Sequence, residues 1–129
     1  MKVQTILIVD DERHITSIMR RRLEEAGFSV FEARDGVEAM ELAPEVCPDV
    51  VVTDLQMPRI SGLELAVALR QIEQTRNTPV IMLTGRSHFV SEAVLGKTNI
   101  KQIIEKPFSA RQVVEAVELL ASQENREAA

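Results

Sequence analysis

The stretch "ILIVDDERH", residues 6–14, decides the fold of this chain. Its first four residues are aliphatic, which is typical of a strand buried on both faces of a parallel sheet. Three acidic residues, Asp10, Asp11 and Glu12, follow at once. Because ionised carboxylates are costly to bury, the change marks the point where a buried strand reaches the edge of its sheet. The stretch therefore predicts a core strand whose carboxyl end carries a cluster of acids.

The composition predicts one globular domain. The chain has 129 residues, of which 45% are hydrophobic and 27% are charged, and this balance suits a single folded core. No apolar run approaches the roughly 20 residues that span a bilayer, and the N-terminus lacks the pattern of a secretion signal. We therefore expect no membrane association and a cytoplasmic location.

The remaining composition excludes two classes of site. One cysteine, Cys47, cannot form an internal disulfide and is expected to pack in the interior, while His14 and His88 are too few and too scattered for zinc. Both histidines are expected on helix surfaces.

The net charge of −5 disfavours direct nucleic-acid binding. The basic run at residues 20–22 is interpreted as a solvated helix face because two glutamates follow it.

Five aliphatic runs alternate with segments of helical periodicity. The runs cover residues 5–9, 28–33, 49–53, 79–83 and 100–104. Parallel neighbours need helical crossovers, so the order predicts an α/β fold, a doubly wound parallel five-stranded sheet. We expect one domain over residues 1–122 and a polar tail over 123–129 that frays or begins a connector.

Several local signals place the helices. Capping spacings predict three helix starts, at Asp35 with Glu38, Ser61 with Glu64 and Ser109 with Gln112. Apolar stripes predict which face of three helices is buried, over residues 15–23, 65–72 and 113–120. Gly27 predicts a helix end, and residues 87–98 are expected to form a short helix that ends near Gly96.

Polar residues follow four of the strands, and this fold gathers them at one edge of the sheet. They are Asp10, Asp11, Asp54, Thr84 and Lys106. Three converging carboxylates repel one another, and a divalent cation such as Mg²⁺, which prefers oxygen ligands, resolves the conflict. The ammonium of Lys106 and the hydroxyl of Thr84 suit an anion. The five residues together predict a phosphoryl site beside a metal ion.

Each of these residues alone has a plainer interpretation. Asp10 and Asp11 could be helix N-terminal acids, Asp54 a turn acid, and Thr84 a hydroxyl at a strand end. A lysine before a proline, as at Lys106, is common. Their joint placement after successive strands favours the functional interpretation.

Four motifs extend the argument to a known family. The segments "VDDE", "TDLQMP", "MLTG" and "EKPF" occur in this order over nearly the whole chain, which resembles the receiver domains of bacterial two-component response regulators. The resemblance implies a flavodoxin-like (βα)5 fold with strand order 2-1-3-4-5. It also implies a cis peptide at Lys106–Pro107 and, at Gly85, room for a phosphodonor.

The resemblance assigns a role to each site residue. Asp54 is implied to be the phosphoacceptor, with Thr84 and Lys106 binding the phosphoryl oxygens. Mg²⁺, with Mn²⁺ as an alternative, is implied to be held directly by Asp11 and Asp54, through water by Asp10, and by one backbone carbonyl, that of Gln56. The protein is thus expected to be a signalling phosphoacceptor that catalyses its own phosphorylation and dephosphorylation, not an enzyme with an external substrate.

The resemblance also implies partners. Upstream we expect a sensor histidine kinase or a histidine phosphotransfer protein, and downstream an output protein or an attached effector domain. A homodimer linked to phosphorylation is left open.

One position departs from the family pattern. Receivers commonly carry Tyr or Phe three residues before the lysine, and here that residue is Ile103. A β-branched aliphatic side chain is stiff and cannot form a hydrogen bond from its tip, so the usual aromatic switch is not expected.

Two alternatives remain beside the receiver. A receiver-like scaffold could bind partners regardless of phosphate, and Ile103 is its support. A haloacid-dehalogenase-type phosphotransferase would place its nucleophile after the first strand in a D-x-D pattern, whereas Glu12 breaks that pattern here.

Overall fold

The computed structural model describes residues 3–85 and 91–128. In this part of the chain, five strands form one parallel sheet. They are β1 (Thr5–Val9), β2 (Ser29–Ala33), β3 (Val50–Asp54), β4 (Val80–Thr84) and β5 (Ile100–Glu105). Their order in the sheet is β2-β1-β3-β4-β5, and every neighbouring pair is parallel. The doubly wound flavodoxin-like fold is confirmed.

Helices cover both faces of the sheet. They are α1 (Arg13–Glu25), α2 (Gly36–Val46), α3 (Gly62–Leu69), α4 (Glu92–Leu95) and α5 (Ala110–Ala128). A short 3₁₀ helix, Glu73–Thr75, lies between α3 and β4 and was not predicted. Helix α5 continues through the residues expected to form a polar tail. None of the helices in the described ranges is both long enough and apolar enough to cross a bilayer.

The alternating side chains of the strands divide the core into two layers. Ile6 and Ile8 belong to the layer that includes residues of α1 and α5, whereas Leu7 and Val9 belong to the layer that includes residues of α2 and α3. All residues of β3 and β4 are buried. The continuous aliphatic runs follow from this, because a strand covered on both faces needs apolar side chains at every position.

The predicted helix starts are confirmed. The side chain of Ser61 accepts a hydrogen bond from the Glu64 amide, and the Glu64 carboxylate accepts one from the Ser61 amide, which completes a capping box. The other two starts have the expected caps, the side chains of Asp35 and Ser109. Helix α4 ends at Gly96 as expected, but it begins only after its cap Ser91 and is therefore shorter than the predicted 87–98 helix, of which residues 87–90 lie outside the described residues.

Two expectations about burial are wrong. Cys47 was expected to pack but is exposed, because it ends α2 in a left-handed conformation, with φ +47°, that turns its thiol away from the core. Ile18 belongs to the predicted buried stripe of α1 but is 44% exposed. His14 is exposed as expected, and His88 lies outside the described residues.

Candidate functional site

The fold brings the predicted polar residues to one edge of the sheet. Asp10 directly follows β1, Asp54 ends β3, Thr84 ends β4, and Lys106 directly follows β5. Since β1 and β3 are neighbours, Asp10 and Asp54 lie side by side although 44 residues of sequence separate them. Asp10, Asp54 and Thr84 are buried, with exposures of 2%, 3% and 1%.

Three carboxylates form the centre of the site. One oxygen from each of Asp10, Asp11 and Asp54 lies within 4.8 Å of the others. Asp11 is exposed whereas the other two are buried, so the cluster opens to solvent on one side. Three carboxylate oxygens at this spacing, with one side open to solvent, could hold a metal ion.

Asp10 supplies direct support for a cation. Its Oδ1 accepts a hydrogen bond from the backbone N–H of Glu12 at 2.9 Å, but its buried Oδ2 has no hydrogen-bond partner among the described residues. Burial, with a smaller contribution from the charge of Asp54, raises the pKa of Asp10 to about 6. A buried carboxylate oxygen without a partner is costly, and a cation bound among these acids would remove that cost.

Asp54 is paired with Lys106. The Nζ atom of Lys106 lies 3.1 Å from Oδ1 of Asp54, and the lysine side chain remains 30% exposed. Because this oxygen has no hydrogen-bond partner among the described residues, the contact is a charge pair between the Lys106 ammonium and the Asp54 carboxylate. Burial raises the pKa of Asp54, while Lys106 and a hydrogen bond from the Gln56 amide act in the opposite direction.

Tight packing behind Asp54 sets its position. A Cβ atom at Gly62, the first residue of α3, would lie 2.3 Å from the carbonyl oxygen of Asp54 and 2.8 Å from Sδ of Met82. The Gly62 amide donates to the Leu55 carbonyl at 2.8 Å. Only glycine allows α3 to begin so close to the end of β3, and the loop between them is closed at its base.

The ends of β4 and β5 are joined beside the acids. The backbone N–H of Lys106 donates to the carbonyl of Thr84 at 2.9 Å, and the Lys106–Pro107 peptide is cis, as the resemblance implied. Within residues 3–85 and 91–128, a Cβ atom at Gly85 would meet no atom within 4 Å, so these residues leave space next to Thr84.

Ile103 lies in β5, where it pairs with Met82 of β4. It is half-buried and packs against the layer that includes residues of α2 and α3. In this position the side chain is part of the sheet's packing.

Sequence reasoning missed a second ionic contact near the site. The guanidinium of Arg59, in the loop between β3 and α3, lies 3.0 Å from Oδ2 of Asp35, the residue that caps α2. Arg59 has a left-handed backbone with φ +70°. Only the pairing of two distant loops brings these residues together, so no local sequence signal could have identified the contact.

Comparison with known proteins agrees with this arrangement. Residues 6–118 match the family described as the response regulator receiver domain. The chain is 38% identical over 109 residues to the transcriptional regulatory protein CpxR of Escherichia coli, covering 84% of this chain and 45% of CpxR. It is also 38% identical over 115 residues to the transcriptional regulatory protein SrrA of Staphylococcus aureus, covering 89% of this chain and 46% of SrrA.

A solved structure of a response regulator has the same fold as this chain. The chemotaxis response regulator CheY4 of Vibrio cholerae superposes with a TM-score of 0.83 at 27% identity, covering 92% of this chain and 99% of CheY4. The chain spans less than half the length of the curated relatives it matches, with 45% and 46% of those proteins covered. From the family match and the shared fold, the chain belongs to the response regulator receiver domain family of two-component signalling systems.

Proposed function

We propose that Asp54 accepts a phosphoryl group from a phosphohistidine of a sensor histidine kinase or a histidine phosphotransfer protein. The observation that carries the proposal is the acid cluster of Asp10, Asp11 and Asp54 with the Lys106 ammonium 3.1 Å from Asp54. The cluster combines a nucleophile, a cation site and a fixed positive charge at an open edge of the sheet, which are the parts that phosphoryl transfer requires.

The transfer itself needs little covalent chemistry from the protein. A carboxylate oxygen of Asp54 attacks the phosphorus, an O–P bond forms, and the N–P bond of the phosphohistidine breaks with its electron pair returning to the imidazole. The product is an acyl phosphate on Asp54. Lys106 then binds a phosphoryl oxygen through its ammonium, and the Thr84 hydroxyl donates a hydrogen bond to another.

We assign the metal site to the same edge. Asp11, Asp54 and the backbone carbonyl of Gln56 would hold Mg²⁺ directly, with Mn²⁺ as an alternative, and Asp10 would act through water. The buried, unpartnered Oδ2 of Asp10 and the 4.8 Å spacing of the three acids fit such an ion. When bound, the metal ion would neutralise the negative charge on the transferring oxygens.

Phosphorylation would switch the protein through several contacts together. A charge-assisted hydrogen bond from Thr84 to the phosphoryl group is worth roughly 1.5–3 kcal/mol, whereas moving a population from 1:99 to 99:1 takes about 5.5 kcal/mol. Lys106 and the metal ion must therefore contribute, or the inactive state must be only slightly preferred. With the half-buried Ile103 at this position, the switch is proposed to proceed without an aromatic swing.

The surface beside the site contains an apolar groove that could bind another protein. An apolar groove of about 480 Å³ adjoins Lys106, between α1 and the start of α5, and its lining includes Ile15, Ile18 and Phe108. A partner that brings a phosphohistidine to Asp54 must cover this region. We propose the upstream kinase or phosphotransfer protein as that partner, and an output protein or an attached effector domain as the downstream one.

Intact mass spectrometry after incubation with acetyl phosphate tests the proposal. The wild type should gain the mass of one phosphoryl group only when Mg²⁺ is present, and Asp54→Ala should gain none. Glu41→Ala, which changes an exposed acid on α2, should behave as the wild type. A wild type that gains no mass under any condition, and that also fails to bind Mg²⁺, would favour the phosphate-independent scaffold instead.

A further inference from the structure

The loop between β3 and α3 is attached to the start of α2. Its residue Arg59 forms the 3.0 Å ion pair with Asp35, and its residue Ile60 lies against Gly36, where an added Cβ atom would come within 2.8 Å of the Ile60 Cβ. Gln56, two residues after Asp54, is the second residue of the same loop. Contacts with α2 therefore hold the segment that carries the Gln56 carbonyl.

Fold stability does not explain the Arg59 contact. The Arg59 side chain is 71% exposed and that of Asp35 is 21% exposed, and ion pairs this accessible add little to stability. The left-handed backbone of Arg59, with φ +70°, costs free energy at any residue other than glycine. The ion pair therefore adds little stability and does not offset the cost of this backbone conformation.

The two ends of the loop are already fixed without Arg59. The Gly62 amide bonds to the Leu55 carbonyl at 2.8 Å, and the Ser61–Glu64 capping box fixes the start of α3. The part left between these anchors contains Gln56 and Arg59. Met57 and Ile60 of this part pack against the layer that includes residues of α2 and α3, and the ion pair adds a polar attachment to α2 on the exposed side of the loop.

We propose that Arg59 is a positioning residue, which holds the loop through Asp35 so that the Gln56 carbonyl faces the acid cluster and completes the metal site. The inference rests on the proposed metal site and adds a residue outside it. Removing the attachment lets the carbonyl move, and a hard cation such as Mg²⁺ tolerates displaced ligands poorly because it demands near-ideal octahedral geometry.

The sign of the effect separates this role from simple electrostatics. Arg59 is a positive charge on the loop next to a cation site, so by charge alone its removal should strengthen Mg²⁺ binding. The positioning role predicts the opposite, a weaker binding of Mg²⁺ when the ion pair is lost.

Calorimetric titration of the full chain with Mg²⁺ tests the inference. Arg59→Asn removes the charge but tolerates the left-handed backbone, and its Mg²⁺ dissociation constant should rise about two- to fivefold, the range that loss of one exposed ion pair allows. Arg59→Lys, which keeps a cation within reach of Asp35, should recover most of the affinity. Asp35→Asn keeps the helix cap, and adding it to Arg59→Asn should cause little further loss if the two residues act as one pair.

Arg34→Asn is the matched control. It removes the same charge from the other exposed ion pair at the start of α2, Arg34–Glu38 at 3.4 Å, without touching the loop, so it should leave Mg²⁺ binding unchanged or slightly stronger. Equal or tighter binding by Arg59→Asn would overturn the inference. A parallel fall in its metal-free unfolding midpoint would also overturn it, by showing a merely structural role. A wild type that binds no Mg²⁺ would instead remove the proposed metal site itself.

Discussion

Asp10 combines burial with an oxygen that accepts no hydrogen bond from the described residues, so its ionisation opposes folding when no metal is bound. Its pKa of about 6 in the fold, against an ordinary value of 3.8, corresponds to a cost of about 3 kcal/mol at neutral pH. Asp10→Asn removes this charge while keeping an oxygen for the Glu12 amide. We expect the free energy of unfolding of the metal-free protein to rise by about 1–3 kcal/mol, measured by urea denaturation with a chelator present.

An exposed acid provides the comparison for this substitution. Glu41→Gln changes an exposed side chain on α2 and should leave the unfolding free energy within about 0.5 kcal/mol of the wild type. If Asp10→Asn proves less stable than the wild type without metal, the electrostatic description of Asp10 is wrong. With Mg²⁺ present, the advantage of Asp10→Asn should shrink, because the ion relieves the same charge in the wild type.

Single residues also mark where sequence reasoning succeeds and fails. Four site residues could be placed from sequence because each stands next to the end of an aliphatic run, and the parallel topology brings those strand ends to one edge of the sheet. They are Asp10, Asp54, Thr84 and Lys106. Cys47 was misplaced because burial was inferred from residue type, whereas the left-handed end of α2 decides where its side chain points.

At the level of elements, the junction of β3 and α3 is the least tolerant part of the site. Gly62→Ala would place a Cβ atom 2.3 Å from the Asp54 carbonyl oxygen, and a backbone atom cannot move aside as a flexible side chain can. We expect the free energy of unfolding to fall by about 3 kcal/mol and acetyl phosphate labelling of Asp54 to slow. Chemical denaturation and intact mass measure the two effects.

A second glycine distinguishes close packing from the general effect of adding a methyl group. The nearest atoms to a Cβ at Gly96, which ends α4, are carbonyl oxygens at 3.6 Å, and the residue has ordinary right-handed helical angles. Gly96→Ala should therefore change stability by no more than about 0.5 kcal/mol. Equal losses for both variants would contradict the role given to the Gly62 contact.

The elements were predictable to the extent that their signals are local. The strand beginning at Val50 was predicted within one residue at each end, because its apolar run and the flanking polar residues lie in the sequence itself. The 3₁₀ helix Glu73–Thr75 was missed because its three polar residues form no apolar run; the buried Thr75 hydroxyl donates a hydrogen bond to the Leu69 carbonyl at 2.7 Å, which such a run would not indicate.

For the whole molecule, the acid cluster links stability to pH and to metal. The pKa of Asp10 is raised in the fold to about 6, so the stability associated with its proton is fully present below about pH 4 and is lost as the pH rises through 6. The pKa of Asp54 is raised as well and acts in the same direction. Metal-free wild type should therefore lose stability relative to Asp10→Asn between pH 5 and pH 7.5.

Thermal unfolding with and without Mg²⁺ at the two pH values measures this linkage. Because protons and the cation compete for the same carboxylates, Mg²⁺ should raise the melting temperature more at pH 7.5 than at pH 5. A gain that does not depend on pH would show that the ion binds away from Asp10 and Asp54.

The exposed thiol at the end of α2 makes the protein easy to label. Cys47 is the chain's one cysteine, and it precedes β3 whereas Asp54 ends that strand. At about 3.3 Å per residue, the length of β3 places the thiol roughly 20 Å from the phosphoacceptor. A maleimide dye attached there would sit at the sheet edge opposite the acids, so changes in its fluorescence would report on rearrangement of the domain and not on contact with the phosphodonor.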